Sequence, residues 1–204
     1  TATPSPTPSP TPTLAPTSPP FDLCSAVPQS GCLGTTRARG SSLLIRDRPG
    51  LDGDSLVWRL GSGDATSLAQ LGEPFLGWTS YRLCLYDETA GVSALVSQAE
   101  IPSGGYCRGK ACWKRLGGGS GFSYKDGDRT PDGVAKLLVK TGSAGRAKLL
   151  VSAKGAYFAR PSLPVAQDGT FTVQLRNTAG TCWSARFSAP AFSNDGLIFK
   201  DLSD

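Results

Sequence analysis

The chain has 204 residues, 39% of them apolar, with 21 Lys and Arg against 16 Asp and Glu and no His. That length allows one domain with a real core beside a non-globular tract, and no run of eighteen apolar residues exists that could cross a bilayer as a helix. Without imidazole there is no Ser-His-Asp or Cys-His nucleophile, so no enzyme is expected here.

Residues 1–20 hold eight of the sixteen prolines, nine Thr or Ser and no charge. Alternating proline fixes φ and pushes each preceding residue into the polyproline II region, so the tract reads as an extended arm of about 3 Å per residue, roughly 60 Å overall. Thr and Ser beside proline are the composition of O-glycosylated stalks, with Thr3, Ser5, Thr7, Ser9, Thr11 and Thr13 as the acceptors. Neither Asn177 nor Asn194 opens an N-x-Ser/Thr sequon. The missing Met and the low-complexity opening lead to the expectation of a processed product that has lost a signal peptide.

Residues 21–42 form a connecting segment carrying Cys24 and Cys32, and 43–204 read as one β-domain. Period-two alternation bounded by Gly, Asp and Asn runs through 43–47, 55–60, 81–87, 92–101, 112–116 and 121–126. It returns in VAKLLVK, AKLLVSAK, FTVQLRN, TCWSARFS and LIFKD, with a short helical turn at 65–71 as the one exception. So many short strands joined by Gly-rich turns indicate an all-β antiparallel sandwich or barrel, of which the sandwich is the expectation taken here. Its core takes Trp58, Trp113 and Trp183, while Trp78, in a loop, is exposed.

A weak internal repeat pairs LLIRDRPGLDGDSLVWRLGSGDA with KLLVKTGSAGRAKLLVSAKGA, YRLCLYDETAGVSALVSQAEIP with FTVQLRNTAGTCWSARFSAP, and GFSYKD with GLIFKD. The two units, near 43–126 and 136–201, are expected to form one sheet each.

The six cysteines suit disulfides better than zinc, because the close pairs are separated by seven and four residues rather than spaced as CxxC knuckles. Oxidised pairs imply export. Fifteen pairings are open; proximity ranks Cys107 with Cys112 and Cys24 with Cys32, leaving Cys84 with Cys182 as the long-range bond.

LCLYD, GGYCRGKACW, GFSYKDGDRTPDG, KLLVK with GRAKLLVSAKG, and VQLRNTAGTCWSARF together resemble a recurrent cysteine-containing domain of secreted bacterial proteins that has no assigned activity. The resemblance covers about 43–201. It implies an exported, β-rich domain and carries over no catalytic residue.

No phosphate-binding glycine motif is present, and GGGSG at 117–121 reads as a hairpin loop. Asp52, Asp54, Asp87 and Glu88 are the acids available for carboxylate-pair hydrolysis, but they sit at turn positions that favour backbone capping. Asp126, Asp128 and Asp132 are spaced like a partial calcium loop without its closing Glu, and the bland alternative is an Asp/Gly turn. No cofactor is expected. The cations, spread from Arg37 to Lys200 with a short cluster at 108–115, read as a solubilising surface rather than a nucleic-acid footprint, with at most weak affinity for acidic polysaccharide.

Two functions fit. In the first the protein is a secreted structural subunit of a fibre or surface layer, a homopolymer in which the glycosylated arm of one copy docks on the β-domain of the next. In the second it is a secreted carbohydrate-binding or adhesion module on a Pro/Thr linker, stacking polysaccharide on Trp78, Tyr81 and Tyr106. The first is preferred, on the expectation that the arm is held in place rather than free. Both place the protein outside the cell or on its surface.

Overall fold

The computed structural model describes residues 24–48, 50 and 53–204. The expected arm, with its candidate acceptors Thr3, Ser5, Thr7, Ser9, Thr11 and Thr13, lies outside the described residues, as does Asp52.

All the expected strands form. They are β1 (Ser41–Arg46), β2 (Ser55–Gly63), β3 (Tyr81–Thr89), β4 (Val92–Ile101), β5 (Tyr106–Cys107), β6 (Lys110–Ala111), β7 (Trp113–Arg115), β8 (Gly121–Lys125), β9 (Val134–Lys140), β10 (Ala147–Lys154), β11 (Thr170–Asn177), β12 (Cys182–Ser188), β13 (Ser193–Asn194) and β14 (Ile198–Leu202). The helical turn is α1 (Leu68–Leu71), capped reciprocally by Ser67 and Gln70.

Pairing is antiparallel within an eight-stranded sheet ordered β13-β14-β1-β2-β10-β9-β8-β7, a four-stranded sheet ordered β12-β11-β3-β4, and the small hairpin β5-β6. Inward positions of both large sheets meet in one core that includes Ile45, Trp58, Val151, Leu83, Val173 and Phe187. The three buried indoles each donate a hydrogen bond: Trp58 to Ser41 Oγ, Trp113 to the Pro102 carbonyl and Trp183 to Thr66 Oγ1.

The repeat expectation needs one correction. The strands correspond as the sequence suggests, β1-β2-β3-β4-β8 against β9-β10-β11-β12-β14, yet the units do not take a sheet each. Every large sheet is divided between them, with β2 beside β10 in one and β3 beside β11 in the other. Register is symmetric about two points. Leu56 and Leu60 face Ala153 and Leu149 on either side of the Trp58–Val151 pair, and Leu83 and Leu85 face Leu175 and Val173 around Cys84–Gln174. The closing strands are exchanged: β8 of the first unit pairs with β9 of the second, and β14 of the second with β1 of the first.

Candidate functional site

Residues 24–35 cross the outer face of the four-stranded sheet and are fastened to it at both ends. Cys24 is bonded to Cys84 on β3 and Cys32 to Cys182 on β12. Between them the buried Gln174 accepts the Gln29 N–H at 3.0 Å and donates to the Gln29 carbonyl at 2.7 Å. Leu33 then lies against the edge of β12, donating to the Cys182 carbonyl and accepting from Ser184 N–H.

Two expected disulfides are therefore exchanged; only Cys107–Cys112 stands as proximity ranked it. The reason is strand order. β11 lies between β3 and β12, which separates Cys84 from Cys182 by two strand spacings, about 9–10 Å, beyond the reach of a disulfide.

The segment forms one wall of a groove of about 660 Å³. Its floor is the outer face of β11 and β12, lined by the Thr172 and Ser184 hydroxyls and the Arg186 guanidinium, with the Thr170 hydroxyl donating to Glu88. Val27 and Pro28 supply an apolar stretch of wall, and Glu88 and Asp204 stand at its margins.

Aromatic side chains gather at one end of the sandwich. Loop 73–79 is bonded to the turn before β5, Gly104 N–H to the Pro74 carbonyl at 2.7 Å and Ser103 Oγ to the Gly77 carbonyl at 2.9 Å. Trp78 and Tyr106, on these neighbouring segments, are 74% and 84% exposed, so two of the three expected stacking residues face solvent. Phe75 and Leu76 add exposed apolar surface, and the Arg115 guanidinium lies over the Phe75 ring. Tyr81 is the exception. It is fully buried, its ring 5.6 Å from Trp113 and 6.3 Å from Trp183, its hydroxyl donating to the Leu71 carbonyl. Burial raises its pKa well above the usual phenol value, an effect a hydrogen bond with Asn177 only partly offsets. It belongs to the core because it occupies an inward position of β3.

The three carboxylates of the partial calcium loop, the weaker of the two readings given to it, each have a partner of their own. Asp126 folds back to accept the N–H groups of Asp128 and Thr130, Asp128 pairs with Arg108, and Asp132 accepts the Glu100 N–H on β4. This is the Asp/Gly turn. Among the described residues no group of three or more His, Cys, Asp or Glu is placed to hold a metal ion. Of the acids weighed for hydrolysis, Asp54 pairs with Arg160, Asp87 accepts from Ala166 and Gln167 N–H, and Glu88 accepts from Thr170 Oγ1.

The cations are not scattered. Outward positions of the eight-stranded sheet carry Arg46 on β1 and Arg59 on β2, Lys114 on β7 and Lys125 on β8, Lys136 and Lys140 on β9, Lys148 and Lys154 on β10, and Lys200 on β14. The one acidic residue within these strands, Asp201, is buried on the inner side. None of the nine cations joins an ion pair among the described residues. The signal was present in KLLVK and KLLVSAK, where Lys recurs at positions of one parity, but only the strand order gathers the rows into one surface.

Comparison of the chain with family models, curated proteins and solved structures returned no match. Among the described residues no helix is long and apolar enough to cross a membrane.

Proposed function

We propose that the protein is a non-enzymatic, secreted structural subunit of an extracellular assembly, in which the Pro/Thr-rich arm of one copy lies in the groove of the next. The groove on the four-stranded sheet carries this reading. An extended proline-rich strand lacks an N–H at each proline and offers unpaired carbonyls, which suit a floor of hydroxyl and guanidinium donors with an apolar wall. The arm joins the domain at Cys24, which is pinned to that same sheet. The sheet's outer strands support groove docking over strand addition, because Ala26 accepts the Leu95 N–H of β4 and Leu33 covers part of β12.

The test compares the full chain, residues 24–204 alone, and the full chain with Ser184→Trp, which fills the groove from an outward position. Light scattering across a concentration series and negative-stain microscopy should show chains of subunits in the first sample and monomers in the other two. A full chain that stays monomeric throughout would sink the reading.

A second reading, a carbohydrate-binding module, is favoured by the exposure of Trp78 and Tyr106 on adjoining segments. Trp78→Ala with Tyr106→Ala should then abolish retention on an insoluble neutral polysaccharide.

A further inference from the structure

The cationic face of the eight-stranded sheet takes no part in either reading. Its residues fall in rows about 7 Å apart along the strands, with neighbouring strands about 5 Å apart across them. Leu44, Val57, Leu138 and Leu150 make a half-buried aliphatic centre, and the Lys and Arg side chains ring it. Lys140 stands directly opposite Lys148, and Lys125 directly opposite Lys136. Like charges in such cross-strand pairs oppose folding, and nothing on the sheet neutralises them. Nine cations, two opposed pairs and no outward carboxylate are costly for a surface whose only task is solubility, which mixed charges serve as well.

We infer that this face binds an acidic polysaccharide, its carboxylate or sulfate groups lying over the Lys rows and its apolar ring faces over the aliphatic centre. Charge complementarity names the ligand class. A second copy of the same face is excluded as occupant by its sign. Single-stranded nucleic acid is disfavoured because no aromatic residue stands at an outward position of these strands to stack a base, and a broad sheet face has no protruding element to enter a duplex groove.

The probe is alginate, a polyuronate, titrated calorimetrically into the full chain, with neutral dextran, single-stranded DNA and vesicles containing phosphatidylglycerol as comparisons. Alginate should bind and dextran should not, and the affinity should fall steadily as salt rises. Replacing Lys136, Lys140, Lys148 and Lys154 together by Gln should weaken alginate binding roughly tenfold or more at about 50 mM salt. The same variant, relieved of its opposed charges, should melt no lower than the parent, which separates lost binding from lost folding. Trp78→Ala with Tyr106→Ala should leave alginate binding unchanged, keeping this site distinct from the aromatic end. No binding of alginate at low salt, unaltered binding by the four-Gln variant, or tighter binding of DNA or vesicles than of alginate would each overturn the inference.

Discussion

Gln174 and Cys84 occupy equivalent places in the two units, directly opposite one another at the symmetric point of the four-stranded sheet. Each holds the same crossing segment by different chemistry, Cys84 through a covalent bond to Cys24 and Gln174 through a pair of hydrogen bonds to the Gln29 backbone. A buried amide with both ends used in this way fixes register without introducing charge. Asp201 is the contrasting case at this scale. Burial pushes its carboxyl above the usual range, with Asp204 adding to the rise, although the N–H of Leu202 and the amide of Gln167 favour the ionised form. The folded-state value therefore exceeds the unfolded one. The stabilising contribution is complete below the unfolded pKa of about 4 and is lost as pH climbs through the folded one. Urea unfolding of the parent and Asp201→Asn should show the parent's relative stability declining as pH rises above about 4. A difference independent of pH would contradict the assignment.

At the scale of elements, the disulfides divide by the loops they close. Cys32–Cys182 spans 150 residues and Cys107–Cys112 only 5. On a chain-entropy argument the first contributes about 5 kcal/mol and the second about 2 kcal/mol when each is removed alone. Paired Ser substitutions should reproduce that order in urea midpoints, and equal losses would contradict the chain-entropy argument. The strands and the buried indoles were legible in the sequence, because alternation and turn residues act over a few neighbours. The two long disulfides were not, since the insertion of β11 between β3 and β12 depends on which hairpins meet. The fate of Tyr81 shows the same limit: an aromatic beside a loop looks available until its parity within β3 is known. The cationic face was half legible, its parity readable strand by strand and its breadth set only by the order of the sheet.

For the whole molecule, divided sheets mean that neither unit holds a complete layer. The units share the β2–β10 and β3–β11 seams and lend each other a closing strand, while the 127–128 turn joining them is exposed. Cleavage at a protease site inserted there should leave the halves associated even after the disulfides are reduced, with near-ultraviolet circular dichroism of the tryptophans retained. Separation of the halves on size exclusion would show that the seams alone do not hold them. The exchange of closing strands also governs how a growing chain reaches its native state. As the first unit emerges, the outer sides of β2 and β3 have no partner until β10 and β11 arrive, and β1 waits longer still, for β14. During that interval the nascent protein exposes strand edges that its finished form conceals, so a chaperone able to shield them, or the matching half of a second molecule, competes for the same hydrogen bonds.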